Sequence, residues 1–230
     1  MPVFLDELIR PFYQAIGSTF RAALTRGQIC FAPISYTREN LQLWRPRDYD
    51  DSRTSATDFR IVAAPADKFA RSTPLADPQL ATNEEFAVSR VKMRPVIVLG
   101  PAPPDPGIQG LRGGGRIYRR LTTVIPVYSL VNRHNRTLKY PPGFVEGLRR
   151  LEFEEFLYLP EEAGVLRLAS YARVAETQSV YEPHLDHCDL RLSDEALRIL
   201  QDQVLFHATG RYDGVLEAYR EELMNQDPKK

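Results

Sequence analysis

The chain is poor in several things that would have narrowed its chemistry. Its 230 residues include two cysteines, Cys30 and Cys188, one tryptophan and four histidines. Two cysteines build no disulfide framework, so a reduced, cytoplasmic setting is the expectation. Long hydrophobic runs are also missing. The longest apolar stretches, Pro95 to Leu99 and Val124 to Leu130, are strand-sized, against the ~20 residues of a membrane helix. The first eight residues carry no basic leader and include Asp6 and Glu7, which is unlike a secretory signal. No internal repeat is visible. Net charge is absent too, with 30 Lys+Arg against 30 Asp+Glu, and a neutral total argues against a nucleic-acid partner. What is present is ordinary: 43% hydrophobic and 26% charged residues describe a globular chain and exclude global disorder. The length suits one large domain or a small one with elaborations.

The zero conceals a dipole along the sequence. Residues 1–111 have a net charge of +1, residues 112–150 of +8, and residues 152–230 of −9. The basic middle holds Arg112, Arg116, Arg119, Arg120, Arg133, Arg136, Lys139, Arg149 and Arg150, interleaved with Tyr118, Tyr128, Tyr140 and Phe144. Guanidinium and ammonium groups neutralise phosphates, and aromatic faces stack on unpaired bases, so this mixture suits single-stranded nucleic acid. It suits equally well a solvated face that pairs with the acidic tail inside one fold.

The spacing of Leu5, Leu8, Ile9, Phe12, Ile16, Phe20 and Leu24 predicts a helical segment over residues 3–24, kinked or divided at Pro11. Gln28 to Ile34, Phe59 to Ala63, Arg94 to Gly100, Leu121 to Leu130, Phe156 to Leu159 and Val165 to Val174 read as strands. Residues 35–90 are polar and irregular, with loop-like stretches at Trp44 to Asp50 and Pro74 to Asn83, and the Pro/Gly-rich run Pro101 to Gly115 reads as an exposed loop. Ser193 is placed to cap a helix that Gly210 ends, and Val215, Leu216, Tyr219 and Leu223 mark a last helix. The sum is α+β with a mainly β core: a compact barrel or half-barrel, interrupted by long loops and flanked by helices.

Familiar catalytic signatures are lacking. Gly110-Leu-Arg-Gly-Gly-Gly-Arg116 has no Gly-Lys-Ser/Thr ending, and no Gly-x-Ser-x-Gly elbow occurs. His184, His187 and Cys188, with Asp186 and Asp189 beside them, offer metal-ligand types, but their spacing matches none of the usual zinc patterns. A solvated loop is the expectation there. Cys30 falls mid-strand, where a buried inert thiol is expected. His134 lies in the basic stretch, where it can meet a phosphate, and His207 sits near a helix end that favours a cation.

Four pieces, in order, resemble the MazF/PemK-like toxin family. Arg26 to Ala32 (Arg-Gly-Gln-Ile-Cys-Phe-Ala) resembles the family's first strand. Arg94 to Leu99 (Arg-Pro-Val-Ile-Val-Leu) resembles its Arg-Pro strand, and Thr123 to Ser129 (Thr-Val-Ile-Pro-Val-Tyr-Ser) its Val-Val-Pro-Ile-Thr-Ser strand. Leu159-Pro160, Gly164 to Leu168 and Arg173-Val174 resemble the closing strands, and Leu192-Ser193-Asp194 the start of the C-terminal helix. These pieces cover about a third of the chain. Members of the family are about half this length.

The resemblance implies one domain, residues 1–230, containing an SH3-like barrel built from about 26–34, 91–100, 121–130 and 156–180. Residues 1–25 would then be a helical N-terminal extension, 35–90 and 101–120 insertions, and 193–226 C-terminal helices. It implies a homodimer that cleaves single-stranded RNA without metal or cofactor, by attack of a ribose 2′-hydroxyl on the adjacent phosphate, and an antitoxin protein that occupies the RNA groove. Arg94 stands at the family's catalytic arginine, and a guanidinium suits the phosphorane oxyanion because it keeps its charge and donates paired hydrogen bonds. The family's threonine is replaced by Tyr128, followed by Ser129. Tyr128 would need a reshaped pocket, and Ser129 would need a bulge to face the same side. The family's Asp-Gln-x-Arg turn corresponds to Ser170-Tyr-Ala-Arg173, so that acid is missing while Arg173 is kept. Arg116, Arg119, Arg120, Arg133, Arg136, Lys139 and Arg173 are the candidate RNA contacts. Beside this enzyme stand two other readings: a catalytically silent barrel that binds RNA or protein, and a structural or interaction domain without a nucleic-acid role.

Overall fold

The computed structural model describes residues 3–36, 40–46, 59–64, 80, 84–101 and 120–225. The chain divides into two compact units, one formed by Met1–Ile34 with Met93–Lys230 and the other by Ser35–Lys92. Arg112, Arg116, Arg119 and the Pro/Gly-rich run beyond Pro101 lie outside the described residues, as do most of Trp44 to Asp50 and of Pro74 to Asn83.

The larger unit is mixed α and β, dominated by one curled antiparallel half-barrel sheet. Its strands are β1 (Tyr13–Gln14), β2 (Gln28–Ser35), β6 (Val91–Gly100), β7 (Leu121–Ser129), β8 (Phe156–Leu159), β9 (Ser170–Arg173), β10 (Gln178–Tyr181) and β11 (Asp186–Leu192); the three strands between β2 and β6 belong to the other unit. The order across the sheet is β1-β11-β2-β6-β7-β9-β8, and β10 pairs with β7. Four helices accompany it in the described residues: α1 (Leu5–Leu8), α2 (Pro142–Arg149), α3 (Asp194–Thr209) and α4 (Val215–Asn225).

Alternation along the central strands separates the two faces of the sheet. Ile97, Ile125 and Val127 join Ile29, Leu157, Leu159 and Leu192 in the main core, against Ala196, Ile199 and Leu200 of α3 and Leu216 and Leu223 of α4. On the other face, Val96, Val98 and Val124 pack with Cys30, Ala32, Ile34, Val180 and Leu185. Farther along that face, Tyr158 and Tyr171 meet Leu130 and Leu148, with Tyr140, Phe144 and Phe153 packed around them.

The N-terminal helix is far shorter than its periodicity predicts, occupying Leu5–Leu8 alone. The apolar spacing over residues 5–13 instead records anchors: Leu5, Ile9, Phe12 and Tyr13 are all buried in the main core from an irregular, then extended, segment. Pro11 has no N–H to continue a helix. Beyond it, the amides of Ile16 and Gly17 are taken by the Asp189 carboxylate at 2.9 and 2.6 Å. The strand expected over Val165 to Val174 is confined to Ser170–Arg173.

The His184 to Cys188 stretch is also corrected. Its second half belongs to β11, paired with β2 on one side and β1 on the other, so it is not a loop. His187 Nδ1 lies 3.2 Å from the Phe20 carbonyl. Helix α2, which the sequence reading missed, begins with Pro at its first turn and buries Gly147 and Leu148. Farther on, α3 begins as expected, with the Ala196 amide donating to Ser193 Oγ at 3.3 Å, and it ends at Gly210 with φ +69°. Asp202, 2% exposed, accepts the amides of Asp213 and Leu216 at 2.5 and 2.8 Å and so caps the entry to α4.

The smaller unit contains a three-stranded sheet, β4-β3-β5, from β3 (Gln42–Pro46), β4 (Phe59–Ala63) and β5 (Ala87–Val88). Part of the segment read as loop-like at Trp44 is therefore strand. Leu43 is fully buried, and the Arg45 guanidinium pairs with Glu85 at 2.6 Å. No helix among the described residues is long and apolar enough to cross a membrane.

Candidate functional site

Strand register assembles the site. Val96 lies opposite Pro126, and Tyr128 opposite Tyr171, which in turn lies opposite Tyr158. Directly opposed residues share a face. Continuing the β6–β7 register two residues brings Arg94 across from Tyr128. Its guanidinium carbon sits 4.6 Å from the Tyr128 ring centroid, within cation–π range. On the other flank, the Tyr128 and Tyr171 rings stack at 5.6 Å with an interplanar angle of 27°.

The fourth member comes from a break in the sheet. Strand β9 runs along β7 as far as Ala172 opposite Val127, and β10 rejoins it with Gln178 opposite Val124. Facing Ile125 and Pro126 the ladder is interrupted, and a 3₁₀ turn, Val174–Glu176, fills the interval. Pro126 has no N–H and suits a place where pairing lapses. The turn delivers Glu176 to Tyr128, whose hydroxyl donates to Glu176 Oε2. The other carboxylate oxygen lies 3.2 Å from Arg173 Nη1, with side chains 16% and 12% exposed. The Arg173 guanidinium also lies 5.4 Å from the Phe156 ring centroid. Arg173 Nε is buried without a hydrogen-bond partner among the described residues.

Arg94, Tyr128 and Arg173 are therefore brought into one connected group, with Glu176 bridging Tyr128 and Arg173. All four side chains belong to half-buried residues. Glu176 is the residue that sequence reasoning missed. The resemblance points to an acid before Arg173, where Ser170 stands; in the structure a carboxylate, Glu176, lies three residues after it. The available signals were the i,i+3 pair of opposite charges and the proline inside β7.

Ser129 is not part of the group. The register through Ser129 opposite Ser170 is regular, without the bulge that would turn it, so it faces away from Tyr128. Its hydroxyl receives a hydrogen bond from Lys139 Nζ at 2.5 Å and donates to the Val131 carbonyl at 3.2 Å. The remaining candidate contacts are dispersed. Arg120 pairs with Glu182 at 3.0 Å. Arg136 reaches Glu161 at 3.2 Å and the Arg167 carbonyl at 3.0 Å. Arg133 is exposed in a turn. Arg150 meets Glu152 at 3.8 Å. Several charges of the basic middle are thus answered by carboxylates of the acidic segment.

Burial tunes the phenols and thiols nearby. The Tyr171 hydroxyl is pushed well up, first by burial and then by its hydrogen-bonding partner Tyr140 at 2.9 Å, so it stays protonated at any working pH. Burial pushes the Cys30 thiol up to about 12, which makes it inert near neutrality. Among the described residues no group of three or more His, Cys, Asp or Glu side chains is arranged to hold a metal ion. Two open hollows, about 370 and 310 Å3, lie against α3, one lined by Arg198, Asp202 and Asp213 and the other by Phe153, Glu155 and His207. Neither includes the Arg94–Tyr128–Glu176–Arg173 group.

No protein-family model matches this chain, and a search of curated proteins finds no match.

Proposed function

We propose that the chain is a metal-free endoribonuclease of the MazF/PemK-like type, on an SH3-like half-barrel, acting on single-stranded RNA in the cytoplasm. The observation that carries this reading is the meeting of Arg94 from β6, Tyr128 from β7 and Arg173 from the end of β9 in one half-buried group. In the reaction, a ribose 2′-oxygen attacks the adjacent phosphorus and the P–O5′ bond breaks. The products are a 2′,3′-cyclic phosphate and a 5′-hydroxyl. Negative charge grows on the non-bridging oxygens, where fixed guanidinium groups are worth most. Arg94 is the electrophile in this scheme, and its position over the Tyr128 face orients it. A homodimer and an antitoxin partner accompany the reading through the same family resemblance.

The test is cleavage of a mixed-sequence RNA in the presence of a chelator. The wild type should cut it, and Arg94→Ala should be slower by about 10²-fold or more. Equal rates, or an inactive wild type, overturn the mechanism. A second reading, an interaction domain without a nucleic-acid role, is favoured by the burial of Tyr171 under Tyr140 and Phe144, which takes up faces that bases would stack on, and by the pairing of Arg120 with Glu182 and of Arg136 with Glu161. Absence of RNA binding at low salt would select it.

A further inference from the structure

Resting on the endoribonuclease reading, we infer that Tyr128 and Glu176 form a closed proton relay, with Glu176 as general base and Tyr128 as general acid. The chemistry needs both: a proton must leave the 2′-hydroxyl and another must reach the departing 5′-oxygen. Among the described residues the Glu176 carboxylate and the Tyr128 phenol are hydrogen-bonded to each other. Arg173 holds the second carboxylate oxygen at 3.2 Å, which fixes the orientation of the acid. The stack against Tyr171 and the guanidinium of Arg94 fix the phenol ring.

The balance closes within the pair. Bound RNA separates the two side chains. Glu176 takes the proton of the 2′-hydroxyl as the O2′–P bond forms. Tyr128 gives its proton to O5′ as the P–O5′ bond breaks. The pair is left as carboxylic acid and phenolate. When the product departs they meet again, and the proton passes from Glu176 to Tyr128 along the hydrogen bond seen in the free protein. No solvent proton, metal or redox partner is consumed. The relay also accounts for the two departures of this chain from the family pattern: a tyrosine in place of threonine reaches far enough to touch an acid that has moved from before Arg173 to after it.

The experiment compares wild type, Glu176→Gln, Tyr128→Phe and the double variant on two substrates: an RNA oligonucleotide, and the same oligonucleotide with a bridging 5′-sulfur at one linkage. A thiolate leaves without protonation. On ordinary RNA, each single variant should lose about 10²–10⁴ in kcat with KM little changed. The double variant should be no slower than about the worse single, because the two act as a unit. On the sulfur-bridged substrate, Tyr128→Phe should return toward the wild-type rate, whereas Glu176→Gln should remain slow. A Glu176→Gln variant as fast as wild type overturns the base, and failure of sulfur to rescue Tyr128→Phe overturns the acid. If the Gln variant does not fold, the Tyr128→Phe rescue still decides. An inactive wild type removes the endoribonuclease reading and the relay with it, whereas an active wild type with an unaffected Glu176→Gln removes the relay alone.

Discussion

Arg149 and Arg173 make an instructive pair. Each meets a carboxylate, each lies over at least one aromatic ring, and their side chains are comparably covered, 25% exposed for Arg149 and 16% for Arg173. Their geometry differs. Arg149 presents Nε and Nη2 to the two oxygens of Asp6 at 2.9 and 2.8 Å, with its guanidinium carbon 3.8 Å from the Phe4 ring centroid. That fork-to-fork contact uses both carboxylate oxygens and ties the last turn of α2 to α1. Arg173 makes one contact to Glu176, leaves its Nε without a partner among the described residues, and shares the carboxylate with a phenol. The first arrangement is complete. The second divides one carboxylate between a guanidinium and a phenol. Burial does not tell the two apart; the count of satisfied hydrogen bonds does.

The contrast is sharpest in activity. Arg173→Ala should lower RNA cleavage by about 10²–10³-fold, with only a small change in thermal midpoint. Arg149→Ala should do the reverse, costing about 2 kcal/mol of stability through a lost bidentate pair while the folded fraction cleaves at the wild-type rate. Urea unfolding read beside a cleavage assay measures both. If Arg149→Ala abolishes cleavage as Arg173→Ala does, the two clusters are not different in kind.

Next in size is a pH effect. Burial raises the phenol pKa of Tyr13, Tyr158 and Tyr171 in the folded chain. The unfolded phenols ionise near pH 10, so above that pH the unfolded state has released protons that the folded state still holds. Stability is therefore full below about pH 10 and falls as pH rises past it. Tyr171→Phe should cost about 1 kcal/mol at neutral pH, through its hydrogen bond with Tyr140, and should make the alkaline fall shallower. A fall of unchanged steepness in that variant would contradict the assignment. The smallest effect belongs to Ser129→Ala, which should leave cleavage unchanged and shift stability by about 0.5 kcal/mol or less, since Ser129 faces away from the group.

The sequence carried the strands of the main sheet well. Gln28 to Ile34, Arg94 to Gly100, Leu121 to Leu130 and Phe156 to Leu159 each coincide with a strand, because each is a β-branched or aromatic run bounded by Gly, Pro or polar residues. It misled over residues 3–24. There helical spacing was produced by core anchors on an extended segment, and only the long-range bonds to Asp189 reveal this. It also hid β11, since the polar run around His187 and Cys188 reads as a solvated loop. At the site, the resemblance picked out Arg94, Tyr128 and Arg173, which the structure joins. For Glu176 the i,i+3 pairing with Arg173 was legible, but its other partner, Tyr128, lies 48 positions away. The segmental charge was legible, but its meaning was not. Arg120–Glu182 and Arg136–Glu161 show that part of the basic middle is answered from within the chain.

The interruption opposite Pro126 has one more consequence. Glu176 sits in a turn that belongs to no ladder, so its position is independent of strand register. Elsewhere in the sheet, adding or removing one residue would flip every following side chain to the other face. Val174 is anchored in the main core, so within the turn Ala175 and Glu176 are the positions that can change without unzipping either neighbour. The fold thus holds its arginines and tyrosine as fixed parts and its carboxylate as an adjustable one. Engineering at this turn alone would be enough to reset the distance between acid and phenol.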